Sequence, residues 1–96
     1  MKNFEIELIY KALQKIPNNL PFELKLDIVR NKSIIESQHI MLDELRKICS
    51  EDEIKTYLMM EFDKCELLKF INISNLPDNM GEFDSEFVEG IFLLTN

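Results

Sequence analysis

From Pro21 to Cys49 the chain offers nothing that would break a helix, since neither glycine nor proline falls between them. Within that stretch Leu24, Ile28, Asn31, Ile35, Gln38, Leu42, Leu45 and Cys49 recur at alternating steps of four and three. Ile34, Met41 and Ile48 add a flanking row at sevens. Heptad spacing of this kind predicts a helix of about 28 residues, roughly 42 Å long. A single domain of 96 residues has no need of such a helix for its own core. The seam from Leu24 to Leu45 therefore predicts packing along another long helix, in the same chain or in a second copy, and self-association as a homodimer. Asn31 and Gln38 lie on it, where a polar residue either fixes register and oligomeric state or faces a less buried stretch.

The flanking segments are shorter. Leu8, Ile9, Ala12, Leu13 and Ile16 form one apolar stripe, predicting a first helix over Phe4–Ile16 with Asn3 as its N-cap. The alternation of Phe4, Ile6 and Leu8 leaves a short initial strand as the alternative. Pro17-Asn18-Asn19-Leu20-Pro21 stops that helix, and Pro21 suits the first position of the next. Ser50-Glu51-Asp52-Glu53 has the form of a capping box, and the apolar row restarts out of phase at Ile54, Leu58, Phe62, Cys65 and Leu68. These features predict a third helix over Glu51–Leu67 that folds back on the second. Leu68–Ile73 is read as a short strand or the frayed end of that helix; a strand would need a partner, either Phe4–Leu8 or a second copy. Ser74–Gly81 reads as a loop. Asp84 or Ser85 can cap a last helix with Phe83, Phe87, Ile91 and Leu94 on one face, and Gly90 inside it implies close packing. The expected fold is mainly α: a helical hairpin with one long helix, short N- and C-terminal helices, and one optional strand near residues 69–73.

Charge is unevenly distributed. Residues 1–48 balance at +1, whereas Lys55, Lys64 and Lys69 stand against 11 acids in residues 49–96, a balance of −8. Such a field repels phosphate backbones, which argues against direct nucleic-acid binding, and it favours a basic partner. The same acidity also serves simply to keep a small domain in solution. No apolar run approaches the length of a membrane span, and the opening residues carry acids where a secretory signal would be apolar. Both observations point to the cytoplasm. Cys49 and Cys65, with a single histidine, lack the paired ligands of a zinc site and read as reduced thiols. No metal or cofactor is expected.

A catalytic reading needs a nucleophile, a base and a group that orients the base. His39 and Asp43, at i and i+4, form a histidine–carboxylate pair that leaves the catalytic set incomplete, or a surface ion pair, and no glycine-rich phosphate cradle exists. The chain is therefore expected not to be an enzyme. Met59 and Met60 beside Phe62 either fill core or offer an adaptable patch to a partner.

The order of these features resembles a family of small uncharacterised proteins of tailed phages and prophages of low-GC Gram-positive bacteria. Ile9-Tyr10-Lys11-Ala12-Leu13, Leu20-Pro21, Ile28-Val29-Arg30-Asn31 and Asp43-Glu44-Leu45-Arg46-Lys47 carry the resemblance. Phe70-Ile71-Asn72-Ile73 and the closing segment Phe87–Leu94 also fit it. It implies a phage-encoded protein acting in the host cytoplasm, and it implies no catalytic residues.

Three functions are open to such a chain. The leading expectation is an accessory protein that binds a host protein, such as a defence effector with a basic nucleic-acid groove, and inhibits it. Its contact residues would be Glu51, Asp52, Glu53, Glu61, Asp63 and Glu66. The alternative is a phage assembly or chaperone component that associates through Leu24, Ile28, Asn31, Ile35, Gln38, Leu42 and Leu45. The third is an oligomer that binds a small molecule near Asn31, Gln38 and His39.

Overall fold

The long helix forms as its pattern requires. In the computed structural model, which describes residues 1–96, it is α2, Phe22–Arg46, with α1 at Asn3–Leu13, α3 at Glu51–Met59 and α4 at Ser85–Leu93. With three single 3-10 turns at Cys65–Leu67, Ile73–Asn75 and Met80–Glu82, helix accounts for 66 % of the chain, and no sheet is present. No helix is long and apolar enough to cross a membrane.

Helix ends differ from expectation for local reasons at one end and distant ones at the other. Pro21 sits just outside α2, with ψ at 145°, and its carbonyl accepts from the Lys25 N–H at 3.1 Å. Lys2 rather than Asn3 precedes α1, and Glu5 Oε1 accepts from the Lys2 N–H at 2.8 Å. Three residues before the predicted end, α1 stops at Leu13, where Gln14 and Lys15 close tight bonds to Lys11 and Ala12 ahead of Pro17. α2 likewise ends at Arg46, and the chain tightens through Cys49 into the Ser50 cap. There the capping box forms as read: Ser50 Oγ accepts from the Glu53 N–H at 3.2 Å, and Glu53 Oε1 accepts from the Ser50 N–H at 2.8 Å.

α3 does fold back along α2, bringing Tyr57 to Gln38 and Met41, but it stops at Met59 instead of Leu67. The cause is not local. At Met60 the backbone turns extended and pairs with the N-terminus: the Asn3 N–H donates to the Met60 carbonyl at 2.9 Å, and the Phe62 N–H to the Met1 carbonyl at 2.8 Å. Phe62 and Leu68 still reach the core, from irregular chain rather than from a helix. Residues 68–73 form no strand. Ile71 makes a single parallel bridge with Thr95, its N–H donating to Leu94 and its carbonyl accepting from Asn96, so its partner is neither Phe4–Leu8 nor a second copy.

The core forms where α1 packs against α4 and against the buried face of α2. Ile6, Ile9 and Ala12 of α1, Leu24, Ile28 and Ile35 of α2, and Phe87 and Ile91 of α4 are fully enclosed. Gly90 is what lets α1 and α4 approach. A Cβ there would lie 2.9 Å from the Leu8 carbonyl oxygen and 3.2 Å from Ile9 Cα, besides meeting the Ala12 side chain.

The seam of α2 is thus filled from within the chain. Leu24, Ile28, Asn31, Ile35, Gln38 and Leu42 are buried and Leu45 is half-buried, so a second copy cannot seat on them without displacing this chain's own elements. The premise for self-association through that face falls with this. Asn31, fully enclosed, does not face a wetter stretch: its Nδ2 donates to the Asp27 and Lys69 carbonyls, both at 2.9 Å, and its Oδ1 accepts from the Lys69 N–H at 2.7 Å.

Gly90→Ala is expected to lower stability in urea by about 1–3 kcal/mol through overpacking. On an isolated helix the same change would gain about 1 kcal/mol, so the sign reports the contact. Asn31→Ala is expected to cost about 1–3 kcal/mol and to accelerate hydrogen exchange at the Lys69 amide, which loses its acceptor.

Candidate functional site

The six acids singled out from sequence divide into two groups. Glu51, Asp52 and Glu53 head α3, while Glu61, Asp63 and Glu66 follow its end, roughly 14 Å along the helix. All six are exposed. Glu61 is the only one in an ion pair, at 3.1 Å from the Met1 amine, and its hydrogen bond raises the pKa of that amine. Lys55, Lys64 and Lys69 form no ion pairs, so the negative field of this half stays open to solvent.

Glu61 and Asp63 rim a small cleft of about 120 Å³ whose remaining walls are Asn3, Met41, Tyr57 and Met60. Three elements converge on it, and a chain of amides holds them. Gln38, from the seam of α2, donates through Nε2 to Asn3 Oδ1 at 3.0 Å and to the Tyr57 hydroxyl oxygen. Asn3 Nδ2 donates in turn to the Tyr57 carbonyl at 2.8 Å, and the Tyr57 hydroxyl donates to Met41 Sδ at 3.3 Å. Burial raises the Tyr57 pKa, with Asp63 and Glu7 adding to the rise, so the ring keeps its proton as a donor. Met41 and Met60 are each more than half exposed, which answers the sequence ambiguity over the Met59-Met60 pair: Met59 and Met60 lie outside the core. An acidic rim over a floor of thioethers and an aromatic ring suits a side chain with an apolar stem and a cationic head.

A broader depression of about 550 Å³ lies in the α2–α3 turn, between Arg46, Cys49, Glu51, Ile54 and Lys55. Two cations, Arg46 and Lys55, stand there against one acid, Glu51, so its lining lacks the acidic character of the cleft.

His39 lies elsewhere, between α1 and α2. Its Nε2 is 3.4 Å from Asp43 Oδ2, the pairing expected from sequence, and its Nδ1 is 2.9 Å from Glu7 Oε1. The ring stacks on Tyr10 at 3.7 Å between centroids. Glu7 and Tyr10 were not visible as partners, although both lie one turn apart on the face of α1 that neighbours its apolar stripe. Both ring nitrogens are thus committed to carboxylates, and the cluster ties α1 to α2. Cys49 and Cys65 are half-buried free thiols. No group of three or more His, Cys, Asp or Glu is arranged to hold a metal ion.

No known protein family, no curated protein and no solved structure matches this chain.

Glu53 supplies the pH prediction for this region. Its carboxyl is held below the ordinary value of 4.5 by the Ser50 N–H. A lowered folded pKa stabilises above the unfolded value, and that contribution is lost as pH falls through the folded one. Glu53→Gln is expected to lower Tm at pH 7, with the difference from wild type shrinking below pH 4.5 and vanishing in strong acid.

Proposed function

We propose that this chain is a phage or prophage accessory protein that acts in the host cytoplasm by binding a host protein, and that it inhibits a defence effector. The observation that carries the reading is the cleft between α1, α2 and α3, where Glu61 and Asp63 stand over Met41, Met60 and Tyr57. Its occupant is a lysine or arginine side chain of the partner: the stem lies on the methionines and the cation meets the two carboxylates. Glu51, Asp52 and Glu53 widen the field that steers a basic groove toward this face, and competition with nucleic acid for that groove is the means of inhibition. Glu66 belongs to the same field.

The test is a tagged pull-down from nuclease-treated extract of a Gram-positive host, with bound proteins identified by mass spectrometry. A stoichiometric basic protein that handles nucleic acid is the expected result. Its affinity should fall steeply with added salt. Glu61→Lys with Asp63→Lys should cost it about 10-fold or more. Both positions are exposed, and an unchanged circular dichroism spectrum is the control for folding. Glu51→Lys with Asp52→Lys, which leave the Ser50–Glu53 capping box in place, should slow association more than they speed dissociation. Recovery of virion components alone from infected cells would replace this reading with an assembly role.

A further inference from the structure

α2 is apolar on two opposite faces. Half a turn around from the buried seam, Phe22, Leu26, Val29, Ser33 and Ile40 form a second row. Phe22, Val29 and Ile40 are 70 %, 62 % and 60 % exposed, so no other part of the chain covers this row. The molecule measures 42 × 25 × 17 Å, and α2 closes one side of that thin body with apolar side chains facing out.

The charges beside the row are ordered along the helix. On one flank Lys25 and Lys32 occupy the N-terminal half, and Glu36 and Asp43 the C-terminal half. We infer that this outer face is a self-association surface on which a second copy of the chain packs with its α2 antiparallel. Lys25, unpaired within its own chain, then faces the partner's Asp43, which also lies near His39 and Arg46. Lys32 faces the partner's Glu36 in exchange for the 3.8 Å pair these two make within one chain, and each pair occurs twice by two-fold symmetry. A parallel two-fold arrangement would instead turn this flank toward the partner's other flank, which carries Glu23, Asp27 and Arg30, and would form neither pair. Ser33 falls beside the two-fold axis, where its small side chain lets the helices close to the usual 8–10 Å, and Leu26 meets the partner's Ile40. On the other flank Glu23 comes opposite the partner's Glu44, which Lys47 already holds at 2.9 Å. The strip from Phe22 to Ile40 is roughly 27 Å long and about 10 Å wide, short of the roughly 600 Å² per partner at which stable interfaces begin, so the pairing is weak and transient.

Sedimentation equilibrium between roughly 1 and 200 µM reads this directly. Wild type should shift from monomer to dimer across that range, and Val29→Glu should remain monomeric with an unchanged circular dichroism spectrum. Lys25→Glu with Lys32→Glu should weaken the dimer at least about tenfold. Adding Glu36→Lys and Asp43→Lys to that same chain exchanges every charge and should restore it, which only the antiparallel arrangement allows. A wild-type monomer throughout, a dimer undiminished in Val29→Glu or in the lysine pair, or a natively folded quadruple variant that stays monomeric would each overturn the inference.

Discussion

Two amides on the buried face of α2 hold the rest of the molecule to the long helix. A helix of 25 residues presents more apolar surface than α3, with nine, can cover. The remainder is covered partly by irregular chain, whose backbone N–H and C=O groups need partners once they lose water. Asn31 and Gln38 supply them. Asn31 binds both backbone groups of Lys69 and so pins the segment that carries Leu68 and Ile71 into the core. Gln38 binds Asn3 and Tyr57, joining the start of α1 to the end of α3. A polar residue at a seam position is a cost unless its bonds are made, and here they are.

The candidate site follows from that clamp. The chain leaves α3 at Met60 because the N-terminal residues offer it backbone partners, and this sets Glu61 and Asp63 at the mouth of the cleft instead of farther along a helix. Had α3 continued to Leu67, these two residues, two apart, would have pointed to different faces. The extended backbone instead brings both to one opening, over side chains from α2 and α3. Of the acids in this half only Glu61, Asp84 and Glu86 are ion-paired, with the Met1 amine and Lys15, so a net negative charge faces solvent.

Much of the architecture was legible because its signals are local. The capping box at Ser50, the Asp84 cap on α4 and the seam of α2 each depend on residues within a turn or two of one another. Gly90 was legible in a weaker sense: a costly residue inside a helix implied a close neighbour, and the structure supplies α1 as that neighbour. What could not be read were contacts between residues distant in sequence. Glu7 and Tyr10 around His39, 32 and 29 positions away, gave no signal in any local window. The bridge between Ile71 and Thr95 gave none either.

The sequence by itself determined that this chain is helical, that one helix is long, and that the acids crowd into the second half. Periodicity, caps and composition act within a single element, so they survive without knowledge of its neighbours. Only the tertiary structure decided where α3 ends, which face of α2 is already occupied, and which acids share a cleft with Tyr57. Those outcomes depend on which buried backbone groups find partners, and the partners lie as far apart in the chain as Asn3 and Met60.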